Sequence, residues 1–475
     1  WLKACNFIKT FVMSEKELPT RHRNLILTLI LITSFANPFM GSSINLALPA
    51  IGSHFGLHAV MMSWVAMSFL LSSAVLMVPL GKIADIIGRK RVFLSGTILF
   101  SLSSIFCAMS PSVGLLLASR VLQGAGGAMM FGTNMAIITD IFPANERGKA
   151  IGTNVMAVYL GLSLGPLIAG FLVKNWGWQS IFYLTAIPVA FVAISMPLLV
   201  KTEWKSPHSE QFDWKGGILY IIAMSAFMYG FSHLPNFWAI ILAFISLIGL
   251  YFFVKIEIQS DFPVFDMRLL SHNRLFAMSN LAALLNYAIT FAITFMLSLY
   301  LQYVKGLNPR DAGLILVIQP AMMVIVSYFS GRMSDVYDPR ILASAGMSTI
   351  TLGLMALIPL GTNSSLIYLM VILGVIGIGF GLFTSPNTNA IMGSVEKKYL
   401  GVASATVGTM RLTGQMISMG IATLVINIFL GNSKIHAGNL SLFLHSQRTT
   451  FIIFVILGIL GVWASMARKS ENLAK

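Results

Sequence analysis

Long apolar runs alternate with short polar segments along the whole chain. Within a bilayer the backbone must satisfy its own hydrogen bonds, so each apolar run of about 20 residues predicts a membrane-crossing helix. Fourteen such runs occur, at approximately 24–51, 61–81, 92–110, 113–139, 148–173, 178–200, 216–233, 236–255, 275–302, 311–330, 340–360, 365–390, 400–430 and 448–467. The pattern therefore predicts an all-α membrane protein with fourteen transmembrane helices.

Composition agrees with a chain surrounded by lipid. Of 475 residues, 56% are hydrophobic and 10% are charged, against about 25% charged in an average soluble domain. This balance excludes an ordinary water-soluble globule. The first apolar run is too long for a secretory signal and is expected to be retained as a span. Met13 is a plausible start of the translated chain, and residues 1–12 receive no function.

The chain lacks the usual signatures of cofactor and metal chemistry. It has two cysteines and eight scattered histidines, which give neither a disulfide framework nor metal-ligand spacing. It also lacks a phosphate-binding P-loop, a metalloprotease helix and a nucleophile elbow. We therefore expect no cofactor, no metal site and no enzymatic activity.

Basic residues are distributed asymmetrically between the two sides of the predicted bundle. With the N-terminus inside, 24 of the 31 Lys and Arg residues lie on cytoplasmic segments and two lie within spans. Five lie outside, namely Lys174, Lys305, Arg310, Lys434 and Arg448. The positive-inside rule then predicts a multi-pass protein of the cell membrane with both termini cytoplasmic.

The net charge of +15 does not indicate nucleic-acid binding. The basic residues are spread over short loops and form no stripe interleaved with aromatic residues. The charge is better explained by membrane topology and by contact with anionic lipid headgroups.

An internal repeat divides the chain. Gly81 and Asp85 after the second span recur as Gly331 and Asp335, at an offset of 250 residues. This offset predicts two six-helix halves separated by two extra helices, which is an arrangement typical of transporters. The predicted segments are an N-terminal tail 1–23, a first half 24–200, a linker with the extra helices 201–274, a second half 275–467 and a C-terminal tail 468–475.

Two loops and one helix carry recognisable patterns. The loop after the second span contains Gly81, Asp85, Gly88, Arg89 and Arg91, and it resembles the signature loop of the major facilitator superfamily. The repeat places a degenerate copy at Gly331 and Asp335. In that family the loop braces one conformational state, whereas the plainer alternative is a generic basic loop.

The fifth span contains Gly161, Gly165, Pro166 and Gly170. Glycines at this spacing flatten one helix face for close packing, and the proline bends the helix. The pattern is similar to the antiporter motif of drug exporters in the superfamily, with Ala169 where a glycine is usual. An ordinary packing face is the alternative.

The first span adds a third resemblance, in the segment from Asn45 to Ile51, which is similar to the first-helix motif of the fourteen-helix drug:proton antiporter family. Membership implies proton-coupled export of small amphipathic molecules by alternating access. That family usually has an aspartate five residues before the asparagine, and this sequence has Met40 there. No acidic residue lies in the middle of any predicted span.

Charge within the spans therefore comes from arginine. A cavity containing Arg120 and Arg411 without a carboxylate should disfavour dications and suit neutral, zwitterionic or anionic substrates. Buried polar residues are candidate substrate contacts, although such groups often only bond across helices. The candidate residues are Asn37, Met40, Arg120, Gln123, Asn134, Asn286, Gln319, Asn387, Arg411 and Gln415.

The sequence thus predicts a monomeric transporter for a small-molecule substrate, with the lipid bilayer as its surroundings and the proton as its coupling ion. The absence of an acid from the first span weakens the assignment of the proton as the coupling ion. The nearest alternative is an uncoupled or differently coupled facilitator for a specific neutral or anionic metabolite. A membrane sensor or lipid translocase is a more distant one.

Overall fold

The computed structural model describes residues 20–200, 202–204, 212–260, 263, 270–271, 273–334, 336–395, 400–431 and 433–468. Within these ranges the chain is almost entirely helical and contains no β-strand. Thirteen helices of the described residues are long and apolar enough to cross a membrane. The predicted all-α membrane architecture is therefore confirmed.

The first half of the chain forms six helices that match the first six predicted spans. Their bounds are α1 (Thr20–Phe55), α2 (Ala59–Ile87), α3 (Arg89–Ala108), α4 (Val113–Ile141), α5 (Ala144–Trp176) and α6 (Gln179–Leu199). Helix α1 packs against α5, α3 packs against α4, and α2 also packs against α4.

Two extra helices, α7 (Trp214–Ser232) and α8 (Phe237–Gln259), follow the first half and pack against each other. Helix α7 is not among the thirteen apolar helices, because Lys215 and two glycines occupy its first turn. Helix α8 exposes large apolar side chains such as Phe244 and Tyr251. Exposed apolar surface of this extent is typical of a lipid-facing helix.

The second half contains seven α-helices in six spans. The bounds are α9 (Arg274–Leu299), α10 (Pro309–Leu316), α11 (Ile318–Met333), α12 (Pro339–Leu357), α13 (Leu366–Gly393), α14 (Leu400–Leu430) and α15 (Leu440–Met466). A π-helical turn at Tyr300–Val304 follows α9, and a short 3₁₀ turn at Ala437–Asn439 precedes α15.

The predicted span 311–330 differs from the others because it consists of two helices, α10 and α11, that meet at Val317. Pro320 has no N–H to donate to the carbonyl of Leu316, so the α-helical ladder is interrupted at this point. The sequence predicted one continuous span and did not predict this break.

Glycines on α5 bring this helix close to α1. A Cβ on Gly161 would collide with the backbone carbonyl of Phe35, and one on Gly165 would collide with the side chain of Ser42. The hydroxyl of Ser43 donates to the carbonyl of Gly165 at 3.2 Å. Close approach and these bonds together hold α1 and α5 as one unit.

The two ends of the bundle differ, and they are named here by their turns. The motif end carries the α2–α3 turn at Gly88, and the far end carries the α1–α2 turn at Gly56–His58. His58 caps α2 at the far end, because its Nδ1 accepts the backbone N–H of Met61 at 3.3 Å. Only the neutral imidazole can accept this bond.

Burial lowers the pKa of His58 below its usual value of 6.5. The folded protein therefore favours the neutral ring, and the contribution of His58 to stability is present above about pH 6.5 and is lost as the pH falls through the lowered folded pKa. We expect His58→Asn, which retains a capping group without titrating, to be less sensitive to acid than the parent. The melting temperatures of the two proteins in detergent should separate by about 2 °C between pH 7.5 and pH 5. Parallel curves would contradict this assignment.

Candidate functional site

The two halves of the protein contact each other at the far end. Gln302, in the π-helical turn after α9, donates to the backbone carbonyl of Leu46 at 3.2 Å. The hydroxyl of Thr423 on α14 donates to that of Ser63 on α2 at 2.8 Å. These bonds join α1 to α9 and α2 to α14.

A second contact between the halves joins α5 to α10. A Cβ on Gly170 would lie 2.6 Å from the carbonyl oxygen of Pro309, and one on Gly313 would lie 2.5 Å from that of Pro166. The backbones therefore touch where these side chains are absent. Gly170 and Pro166, which were predicted as a conformational motif, lie at this contact between the halves.

An aromatic and polar cluster crosses from one half to the other in the middle of the bundle. The side chain of Tyr159 on α5 lies near those of Tyr287 on α9 and Thr384 on α13. Arg411 on α14 lies within electrostatic range of both phenols, and its guanidinium carbon is 4.5 Å from the ring centroid of Phe131 on α4. We call Phe131, Tyr159, Tyr287, Thr384 and Arg411 the central cluster.

The central cluster contains one of the ten predicted substrate contacts, Arg411. Gln415, another predicted contact, is buried one helical turn further along α14. Tyr159 was not among the predicted contacts, because the glycines dominate the pattern of α5. A phenol two residues before Gly161 in an apolar run was the available signal.

Arg120 is buried within the first half instead. Its Nε donates to the carbonyl of Val65 at 2.9 Å, its Nη1 donates to Gln123 at 2.6 Å, and Gln123 donates to Ser104 at 2.7 Å. The guanidinium also lies 4.5 Å from the ring centroid of Phe69. Arg120 and Gln123 thus connect α2, α3 and α4, and the structure does not bring them to the central cluster.

The amides of the first half form a chain of hydrogen bonds. Asn134 on α4 donates to Ser34 on α1 at 2.8 Å, and Ser34 donates to Asn154 on α5 at 2.5 Å. Asn37 lies opposite Gly127, where a Cβ would be 2.7 Å from its Oδ1. Glycine at position 127 makes room for this amide.

Met40 occupies the position where the resembling antiporters usually have an acid, and it is 0% exposed. Its thioether supplies no charge to the middle of α1. In the described residues, no group of three or more His, Cys, Asp or Glu side chains is arranged to hold a metal ion.

The predicted contacts of the second half are dispersed. Asn286 on α9 donates to the sulfur of Met347 at 3.5 Å. Asn387 on α13 donates to the carbonyl of Ser279 at 3.2 Å, and it accepts a short hydrogen bond from Arg468. Gln319 is half-buried, and its backbone carbonyl packs against Gly377.

Arg468 was predicted to lie in the C-terminal tail, and the structure buries it to 1% exposure. Desolvation lowers its pKa to about 10, and the nearby charge of Asp338 opposes this shift. Its bond to Asn387 ties the segment after α15 to the motif-end part of α13. A charged residue two positions after the last helix gave no sequence signal for this role.

The motif loop is an ion-pair network within the first half. Arg89 bonds to Asp85 at 2.7 Å and to Asp140 on α4 at 2.6 Å. Glu203, just after α6, accepts the backbone N–H of Lys90 at 2.9 Å. An acidic side chain at the start of α3 is favourable for the helix dipole.

Other residues of this motif fit the same turn. Gly88 has a φ of +127°, which favours glycine, and Arg91 lies 3.6 Å from Glu203. Gly81 faces the backbone of α4. In the second half Gly331 faces Ser385, while Asp335 lies outside the described residues.

Comparison with known proteins identifies the family. Residues 30–279 and 279–473 each match the family description "Major Facilitator Superfamily". The chain is 28% identical over 410 residues to the riboflavin transporter RibZ of Clostridioides difficile, covering 86% of this chain and 88% of that protein. It is 30% identical over 393 residues to the multidrug resistance protein Stp of Mycobacterium tuberculosis, covering 82% and 73%.

A solved structure shows the same fold. The crystal structure of a bacterial homologue of the human lysosomal transporter Spinster, in an inward-facing and unoccupied conformation, superposes with a TM-score of 0.69 at 17% identity, covering 94% of this chain and 97% of that one. The helical architecture, the family match and the transporter relatives agree that this is a non-enzymatic membrane transporter of small molecules. The chain belongs to the Major Facilitator Superfamily, in its drug:proton antiporter-like type.

Proposed function

We propose that the protein exports small amphipathic molecules from the cytoplasm across the cell membrane by alternating access, in exchange for protons. The observation that carries this proposal is the pair of halves touching at the far end, with a cluster shared by both halves at mid-depth. If the motif end is cytoplasmic, as the basic residues predict, the structure corresponds to a state closed to the outside.

The central cluster is our proposed substrate site. It offers aromatic faces, phenol hydroxyls and one guanidinium, with Arg411 as its charged group. Such a site suits a flat amphipathic molecule and favours neutral or anionic groups near Arg411, since a low-dielectric site disfavours like charges.

A second function has specific support. Met40 leaves the middle of α1 without an acid, and a relative of similar length is named a riboflavin transporter. Both favour a facilitator for a specific neutral or anionic metabolite, without proton exchange. If protons are exchanged, their route involves Asp85 and Asp140 at the motif end or the substrate itself.

Gly170→Leu is expected to hold the far end open, because the new side chain would enter the space of the Pro309 carbonyl. Spin labels at Asn175 and Arg310, which are exposed at the far end of opposite halves, should report a longer mean distance by pulsed electron resonance. Native cysteines are first replaced by serine. Gly152→Leu is the matched control on α5, since nothing lies within 4 Å of that position. An unchanged distance between the two spin labels in Gly170→Leu would contradict the proposal that the Gly170–Pro309 contact keeps the far end closed.

Arg411→Gln is expected to slow transport of an anionic dye, fluorescein, into inside-out vesicles by about tenfold to a hundredfold, because a hydrogen bond to a charged group contributes about 1.5–3 kcal/mol. Arg411→Lys should retain part of the activity. Arg332→Gln is the control, because Arg332 is exposed and stacks on Tyr328. Equal transport of fluorescein by Arg411→Gln and the parent would remove Arg411 from the site.

Coupling is tested with purified protein in proteoliposomes. Proton exchange predicts that fluorescein moves against its gradient when a pH gradient is imposed, and that nigericin abolishes this accumulation. Movement that only equilibrates the dye, at the same rate with and without nigericin, would favour the uncoupled facilitator.

A further inference from the structure

Asn45 on α1 is a fully buried amide that the described structure leaves unpaired. It is 1% exposed, and neither its Oδ1 nor its Nδ2 has a hydrogen-bond partner. A buried polar group without a partner costs about 1–3 kcal/mol. The unpaired donor and the unpaired acceptor of this side chain would therefore both gain a hydrogen bond from a bound ligand.

Pro49 adds a third polar group at the same place. In an α-helix the carbonyl of Asn45 would accept the N–H of the residue four positions later, and that residue is Pro49, which has none. Asn45 thus presents a side-chain donor, a side-chain acceptor and a backbone carbonyl outside the helical ladder.

Open space lies one helical turn away, at Gly41. Gly41 is buried, and yet a Cβ there would have no atom within 4 Å. Residues four positions apart share a helix face, so this space lies on the same face of α1 as Asn45. By contrast, no such space exists at Gly161 and Gly165 on α5, because both glycines contact α1 directly.

The position of Asn45 also links it to the interface between the halves. Gln302 of the second half binds the carbonyl of Leu46, the next residue. On the same side of α1, Asn37 has a buried Oδ1 without a partner. A ligand beside Gly41 would therefore lie between the amides of Asn37 and Asn45 along α1.

From this geometry, we propose that Asn45 binds the cyclic imide or lactam edge of a flat heterocyclic substrate, with the ring seated in the space beside Gly41. The Nδ2 group donates to a ring carbonyl, and Oδ1 accepts the adjacent ring N–H. The imide edge of a flavin has this pairing. The inference rests on the proposed transport function and adds a substrate contact on α1 that lies outside the central cluster.

A monovalent cation is a weaker fit to the same groups. It would use the two oxygens of Asn45 but would leave the Nδ2 donor unpaired. The Oδ1 of Asn37 is eight residues away, which is about 12 Å along the helix, too far to join one coordination shell.

The test uses purified protein in nanodiscs and the fluorescence of riboflavin and of 3-methylriboflavin, which lacks the imide N–H. We expect the parent to bind riboflavin at least tenfold more tightly than the methylated compound. Asn45→Leu should lose this preference while its melting temperature stays equal or rises, because an isosteric apolar side chain removes the unpaired amide. If Asn45 has a purely structural role, Asn45→Leu should instead melt at a lower temperature and keep the preference for riboflavin. That result would overturn the proposal.

Gly41→Val is the second variant, with Gly152→Val as its matched control. Both positions are open, so both proteins should melt like the parent, and only Gly41→Val should lose riboflavin binding by tenfold or more. Equal binding by both overturns the proposal. The proposal is also overturned if sodium ions, and not riboflavin, raise the melting temperature of the parent and this effect is lost in Asn45→Leu. Fluorescein transport in the same preparations distinguishes failure of this site from failure of the proposed function. Fluorescein transport without riboflavin binding rejects this site alone, whereas the absence of both rejects the proposed function.

Discussion

Close approach of helix backbones at small residues is the constraint on which this structure depends. Lipid is as apolar as the helix surfaces, so burial of apolar side chains does not favour helix association, and van der Waals packing and hydrogen bonds must do so. Gly161 and Gly165 bring α5 onto α1 within the first half. Gly170 brings the same helix onto α10 of the second half. One row of glycines thus serves both a contact within the first half and the contact between the halves that the proposed alternating access would break.

Buried polar groups form a second layer of organisation. Arg120 is held by a backbone carbonyl, an amide and an aromatic face, so its charge stabilises the first half from within. Arg411 lies between the halves, and Asn45 has no partner for its side chain. Two of the three guanidinium nitrogens of Arg120 have hydrogen-bond partners in the first half, whereas neither side-chain atom of Asn45 has one, so a ligand would pair more groups at Asn45.

The two halves use opposite charges for a similar purpose at the motif end. In the first half an acid after the last helix, Glu203, meets the start of α3. In the second half a base after the last helix, Arg468, lies near Asp338 at the start of α12. The repeat of the backbone is therefore stronger than the repeat of its residues.

The sequence by itself determined the order of the membrane spans, because a long apolar run in a bilayer has only the helix available. It also predicted Gly170 and Pro166 as a motif, and both lie at a contact between the halves. It could not separate Arg120 from Arg411, since both are arginines in apolar runs. Only the tertiary structure decided which of them faces the other half, because that depends on helix rotation and on partners such as Val65 and Phe131 that are distant in sequence. The break at Val317, the central role of Tyr159 and the unpaired amide of Asn45 were decided at the same level, by which atoms come within hydrogen-bonding distance.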